Sequence, residues 1–258
     1  MKNLNVLEKS KGVLLFATNT ETIDYVTIAL RAERLINHYL KLPVTIVSGT
    51  PTKNTRYNID TNLVESWNNS GRSNAYELSP YDQTILLDSD YFMFDDSFLK
   101  ILDTVTDYII PQHNNFVGEP SLDNMGKYSL PSLWATAIVF NKTEKSQMLF
   151  DLVARIERNY SYYRTLYNIQ ATNYRNDYAF TIADNMLNGY TQDPANYLPW
   201  PIQTVASTID SLELKDQTLL LKTNSKGYVL PKQNLHIISK RYLLSDACDQ
   251  LIRAAINA

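Results

Sequence analysis

Residues 13–17 read Val-Leu-Leu-Phe-Ala, a continuous apolar run. A run without polar alternation marks a strand covered on both faces. Thr18, Asn19 and Thr20 follow as a polar strand end. From about residue 21 to residue 41, Tyr25, Ile28, Ala32, Leu35 and Tyr39 recur at spacings of three and four. That is the apolar stripe of an amphipathic helix. Pro43 then precedes a second short run, Val44-Thr45-Ile46-Val47. Strand, helix and strand in this order predict parallel strands joined by a right-handed crossover. No other feature narrows the fold as much. It commits the chain to a sheet buried between helices.

The alternation continues. Residues 84–87 predict a strand, and Asp95 and Asp96 are placed to cap a helix carrying Phe98, Ile101, Leu102 and Val105. Residues 108–110 and 133–140 predict further strands. Thr143 caps a helix with Leu149, Leu152, Val153 and Ile156 on its inner face. Asn176 and Asp177 open another, with Ala179, Ile182, Ala183 and Met186 inward. After Pro199, Trp200 and Pro201 the pattern predicts short strands to about Leu221, then a strand at residues 235–238. A final helix buries Leu244, Cys248, Leu251, Ile252 and Ala255. The class is α/β in a single domain. Residues 48–80 and 111–131 are polar and irregular, and long loops in compact domains tend to be functional.

Composition limits the function. With 44% apolar residues, 258 positions can bury one sizeable core. A net charge of -3 supplies no global field for nucleic acid. One cysteine, Cys248, leaves no intramolecular disulfide and excludes cysteine-based zinc sites. The polar N-terminus has no leader-like apolar core, and no apolar run is long enough to span a bilayer. A soluble cytoplasmic protein is expected.

The strand ending in Leu86-Leu87 runs straight into Asp88-Ser89-Asp90. Side chains two apart on a strand face the same side, so the two carboxylates converge there. Hard oxygen donors at a strand end suit a divalent cation, and a cation there can hold a diphosphate. The chain has no Gly-x-Gly-x-x-Gly after its first strand, no Walker loop and no Gly-x-Ser-x-Gly elbow.

Four stretches together resemble the GT-A fold of nucleotide-diphospho-sugar glycosyltransferases. Residues 13–20 are similar to its first strand and base loop. Residues 81–90, followed by Tyr91-Phe92-Met93-Phe94, look like the Asp-x-Asp signature of the glycogenin-like branch. Residues 133–141, with Asn176-Asp177 beyond, are similar to its acceptor-side elements. His236-Ile237-Ile238-Ser239-Lys240 resembles its C-terminal His and Lys element. The resemblance implies a Rossmann-like central sheet, mixed but mostly parallel, flanked by helices. It implies a nucleotide-sugar-binding half over residues 1–110 and an acceptor-binding half over residues 111–258.

The resemblance also implies roles. Asp90 and His236 would ligate Mn2+ or Mg2+, with Asp88 on the metal or the ribose, the imidazole favouring Mn2+. Asp90 and His236 should then bring donor atoms roughly 3 to 4 Å apart. The metal and Lys240 would neutralise the leaving nucleoside diphosphate. Thr18 and Asn19 would meet base or ribose, and Arg72 would reach pyrophosphate or sugar. Asp177 would be the carboxylate near the acceptor hydroxyl, the general base of an inverting enzyme. The donor implied is a UDP-sugar. Each residue also has an ordinary use: Asp88 and Asp90 as a solvated turn, Asp177 as a helix cap, Arg72 and Lys240 as surface charges.

The acceptor would be a glycan, a small molecule or DNA. Arg155, Arg158, Tyr160, Tyr162, Tyr163, Arg164, Tyr167, Tyr174 and Arg175 interleave bases and aromatics, which is either a tyrosine-rich hairpin or an acceptor surface. The Asn, Lys and Tyr usage resembles proteins of AT-rich tailed phages, whose DNA glycosyltransferases act on hydroxymethylated bases in the host cytoplasm. Two other functions share the fold. A sugar-1-phosphate nucleotidyltransferase would need a Gly-rich basic loop where Thr18-Asn19-Thr20 stands. A non-catalytic nucleotide-sugar or DNA-binding protein would bind without turnover.

Overall fold

A computed structural model describes residues 9–48, 57–58, 71–119, 125 and 130–257. In chain order come β1 (Lys11–Phe16), α1 (Tyr25–Tyr39), β2 (Val44–Ser48), β3 (Tyr57–Asn58), α2 (Ala75–Leu78), β4 (Gln83–Asp88), β5 (Tyr91–Phe92) and α3 (Leu99–Leu102). Then follow β6 (Tyr108–Ile109), β7 (Asn114–Phe116), β8 (Ala137–Asn141), α4 (Glu144–Arg158), α5 (Tyr160–Leu166) and α6 (Asn176–Leu187). The last elements are β9 (Ile202–Val205), β10 (Ile209–Lys215), β11 (Thr218–Thr223), β12 (Lys226–Pro231), β13 (Leu235–Ile237), α7 (Lys240–Leu243) and α8 (Asp246–Asn257).

The central sheet has the order β3-β2-β1-β4-β8-β6. β1 runs parallel to β2 and β4, and β8 runs antiparallel to β4 and β6. The sheet is therefore mixed and mostly parallel, with helices on both faces. The period of two sorts its side chains. Val13, Leu15, Ile85, Leu87 and Val139 face one core with α1 and α8. Leu14, Leu86, Ile138 and Phe140 face a second core with α4 and α6. Because both faces are covered, β1 and β4 read as unbroken apolar runs. Each fully buried Leu or Val contributes roughly 1.5–3 kcal/mol of transfer free energy. Gly12 lies against the Tyr81 ring, where an added Cβ would come within 2.3–2.5 Å of ring carbons.

Local chemistry sets the element ends. Asp24 caps α1 by accepting from Thr27 N at 3.0 Å, so the helix starts at Tyr25 rather than near residue 21. The helix expected after Asp95 and Asp96 is one turn, with three-residue bonds such as Leu99 N to Asp96 O and Thr104 N to Ile101 O on either side of it. The strand expected at residues 133–140 begins at Ala137. Residues 133–135 send their N–H groups to Thr181 Oγ1, Pro111 O and Asp177 Oδ1 instead of to a neighbouring strand. Residues 114–116, expected to be irregular, form β7. The strands expected to end near Leu221 run on through β12, making an antiparallel β10-β11-β12 meander. Trp67 and residues 68–70 of the polar loop lie outside the described residues.

A four-stranded sheet, β5-β13-β9-β7, stands at the end of β4. β13 pairs antiparallel with β5, placing His236 opposite Tyr91, and parallel with β9, placing it beside Thr204. Ile237 N donates to Asp90 O at 2.9 Å. This small sheet carries the C-terminal His to the Asp88-Ser89-Asp90 turn. Strands from both halves of the sequence are thus interleaved. Among the described residues no helix is long and apolar enough to cross a membrane.

Candidate metal and nucleotide site

In the order β3-β2-β1-β4, the chain leaves β1 toward β2, while β4 lies on β1's other side. Ligands of open α/β sheets bind at such a reversal, beyond the carboxyl ends of the strands. Phe16 and Asp88 are register partners, so Thr18, Asn19 and Asp88 emerge side by side at this point. Thr18 and Asn19 are exposed. Asn19 Oδ1 accepts from Val26 N at 3.0 Å, bracing the start of α1.

Asp88, Asp90 and His236 each offer a donor atom, and all three atoms lie within 4.8 Å of one another. Asp90 Oδ1 is 3.5 Å from His236 Nε2, inside the reach expected of two donors on one cation. Two carboxylate oxygens and an imidazole nitrogen are a donor set suited to Mn2+ or Mg2+. The residues present fit such an ion. Lys240 Nζ also bonds Asp90 Oδ2.

Burial and charge pull against each other at these groups. Burial works to raise the Asp90 pKa, but His236 and Lys240 overcome it and hold the carboxyl far below its ordinary value. Burial works to lower the His236 pKa, yet Asp90 beside it leaves the imidazole above its ordinary value. Asp88 goes the other way. Burial raises its pKa, with the Arg72 guanidinium pulling against it. Tyr25, on the first turn of α1, is pushed up to about 12 by burial and by the fields of Asp90 and Asp88.

Arg72 sits in a single 3-10 turn at residues 72–74. Its side chain is buried. Nη1 donates to Asp88 Oδ1 at 2.6 Å, and Nη2 bonds Ala135 O. Both guanidinium ends are thus committed to the protein around Asp88. Asp177, in the first turn of α6, accepts from Ala135 N at 2.9 Å through Oδ1 and meets Arg175 Nη2 at 3.1 Å through Oδ2. The backbone of Ala135 therefore joins Asp177 to the Arg72–Asp88 pair.

Three residues without any sequence signal complete the site. Thr204 Oγ1 lies 3.2 Å from His236 Nδ1 and donates to Asn114 Oδ1 at 2.7 Å. Asn234, just before β13, accepts from Phe94 N at 2.7 Å and Asp95 N at 3.1 Å through Oδ1. Its Nδ2 donates to Asp95 Oδ1 and Ser97 Oγ. That clamp fixes β13 against the turn after β5. A single polar residue reveals none of this, since the partners lie 32, 90 and 140 positions away.

The basic and aromatic stretch is mostly spent on its own packing. Tyr160 and Tyr163 are buried, Tyr160 Oη bonds Ala171 O, and Tyr174 Oη bonds Asn176 Oδ1. Tyr162, Arg155, Arg158 and Arg175 remain exposed.

No family model and no curated protein matches the chain. Solved structures similar to it include the glycosyltransferase GlyE of Streptococcus pneumoniae TIGR4, 12% identical, with a TM-score of 0.41. That match covers 73% of this chain and 44% of GlyE, so this chain spans less than half of that protein's length. An active-site mutant of LgtC is 9% identical over 95% of each chain, with a TM-score of 0.48.

Proposed function

We propose that this chain is a glycosyltransferase that moves a sugar from a nucleoside-diphosphate donor, a UDP-sugar, to a hydroxyl acceptor with the help of a divalent cation. The observation that carries the reading is the convergence of Asp88, Asp90 and His236 at the strand-order reversal, where an α/β sheet binds nucleotides. A bound Mn2+ or Mg2+ would supply positive charge against the leaving diphosphate.

The chain's own residues divide the remaining work. Thr18 and Asn19, exposed at the end of β1, would meet base or ribose. Lys240, which bonds Asp90, would meet phosphate oxygens and add charge stabilisation. Arg72 holds Asp88 in position rather than reaching a substrate, because both of its ends are already bonded. Asp177 keeps one oxygen on Ala135 N and leaves the other to an exposed arginine, which suits a carboxylate that accepts a proton from an acceptor hydroxyl. The nucleotide side would then come mainly from residues 1–110, joined by the C-terminal His236 and Lys240, and the acceptor side from the rest of residues 111–258.

A thermal-shift series with nucleoside diphosphates, with and without Mn2+, tests this. The melting temperature should rise with UDP and Mn2+ together, and Asp90→Ala should abolish the rise. No response to any nucleotide would end the proposal. Labelled donor offered to glycans, small hydroxyl compounds and hydroxymethylated DNA then identifies the acceptor. Metal-dependent binding without turnover would instead make the chain a binding protein.

A further inference from the structure

We propose that Thr204 and Asn114 are positioning residues that dictate which nitrogen of His236 faces the carboxylates. This rests on the reading of Asp88, Asp90 and His236 as a cation site.

A threonine hydroxyl has one hydrogen to donate. Thr204 Oγ1 gives it to Asn114 Oδ1 at 2.7 Å. Its remaining contact, with His236 Nδ1 at 3.2 Å, must then be one in which Nδ1 carries the hydrogen and Thr204 accepts. With Nδ1 protonated, the neutral imidazole has its lone pair on Nε2. Nε2 is the atom that lies 3.5 Å from Asp90 Oδ1 and belongs to the cluster with Asp88.

The direction of the chain of bonds depends on Asn114. Were its amide reversed, Nδ2 would donate to Thr204, Thr204 would donate to Nδ1, and Nε2 would carry a hydrogen and lose its lone pair for metal. Geometry decides between the two. Nε2 is the atom grouped with the carboxylates, so a cation held there takes its lone pair and leaves the hydrogen on Nδ1; Thr204 then accepts and Asn114 presents its oxygen, the orientation the structure has. Asn114 and Thr204 are both essentially sealed from solvent, at 1% and 0% exposure, so water does not compete for these bonds. Partners of this kind orient metal-binding histidines and are commonly worth about 10- to 100-fold in affinity.

The test uses the whole chain and Mn2+ as the probe. Mn2+ binding is titrated by electron paramagnetic resonance, and histidine labelled at Nε2 or Nδ1 shows which nitrogen couples to the ion. Wild type should couple through Nε2 alone. Thr204→Val should weaken Mn2+ binding about 10- to 100-fold and lose the exclusive Nε2 coupling. Thr204→Ser, which keeps the hydroxyl, should restore both. Asn114→Ala should resemble Thr204→Val, because Thr204 is then free to donate to Nδ1. Melting temperatures of the variants identify any that fail to fold, and Thr204→Ser keeps the test valid if Thr204→Val does. Tight Mn2+ binding coupled through Nδ1, or unchanged in Thr204→Val, overturns the inference and leaves the cation site standing. No Mn2+ binding by wild type overturns both.

Discussion

Arg72 Nη1 and Asp88 Oδ1 meet at 2.6 Å, and the arginine side chain is only 5% exposed. Arg72→Met removes the nearest positive charge from Asp88, whose side chain is 36% exposed, and leaves Ala135 O without its buried donor. Solvent screens part of the loss at the carboxylate, and the change should cost about 1–3 kcal/mol in urea unfolding. Arg72→Lys should recover little, since one ammonium does not span both acceptors as a planar guanidinium does.

Asp177→Asn separates holding from chemistry. The amide oxygen can still accept from Ala135 N, so the start of α6 and the melting temperature should change little. If Asp177 receives the acceptor proton, turnover should fall by about 10²- to 10⁴-fold. Donor binding, read by thermal shift with Mn2+, should be unaltered. Full turnover in the variant would remove Asp177 from the mechanism.

Asp184 gives a pH signature outside the cluster of Asp88, Asp90 and His236. It is buried on α6, and Oδ1 accepts from Tyr108 Oη at 2.8 Å and Asn188 Nδ2 at 2.9 Å. Burial raises its pKa, against the opposing pull of those donors and of Lys145. A carboxyl whose folded pKa lies above the unfolded one favours the unfolded chain once the latter ionises. No penalty exists below about pH 3.9, the unfolded value. It grows as pH rises to the folded value and is constant beyond. Asp184→Asn keeps an oxygen for both donors, so it should be more stable than wild type at pH 7. The gap should close on acidification, with about 1.4 kcal/mol for each unit of the raised pKa. Denaturant midpoints measured from pH 3.5 to 8 check this.

Gly12→Ala tests the packing of β1 on Tyr81. The new methyl would overlap the ring, whose Oη is fixed to Thr45 Oγ1 at 2.8 Å. Overpacking of this kind costs roughly 1–3 kcal/mol. Pairing it with Tyr81→Leu should restore part of the loss, measured as a coupling in a double-mutant cycle.

The central sheet was legible because burial on both faces writes itself into consecutive residues, as at Val13-Leu14-Leu15. Helix stripes were legible for the same reason, with Ile28, Ala32 and Leu35 inward on α1. Ends were less so, because they depend on single bonds such as Asp24 to Thr27. The approach of Asp90 to His236 could be expected from the two motifs. The surroundings could not. Arg72 looked like a loop cation with reach into the site, and only the fold puts Asp88 and Ala135 O on its two ends. Asn114 lies in a stretch without pattern, and Thr204 in an expected strand whose partners the pattern does not name. Their meaning comes from sheet register, which pairs Phe116 with Thr204 and Thr204 with His236.

The pairing of β13 with β5 has a kinetic side. Lys240 and Asp90 are 150 positions apart, and Asn234 closes on Phe94 across 140. Contacts so distant in sequence require a large loop to close before they return any stabilisation, and they form slowly. β1, α1 and β2 can meet through short connections while the chain is still growing. The cluster of Asp88, Asp90 and His236 cannot assemble until the last fifth of the sequence has been made and docked. Affinity for a divalent cation should therefore appear late in refolding, after most of the helical signal has returned.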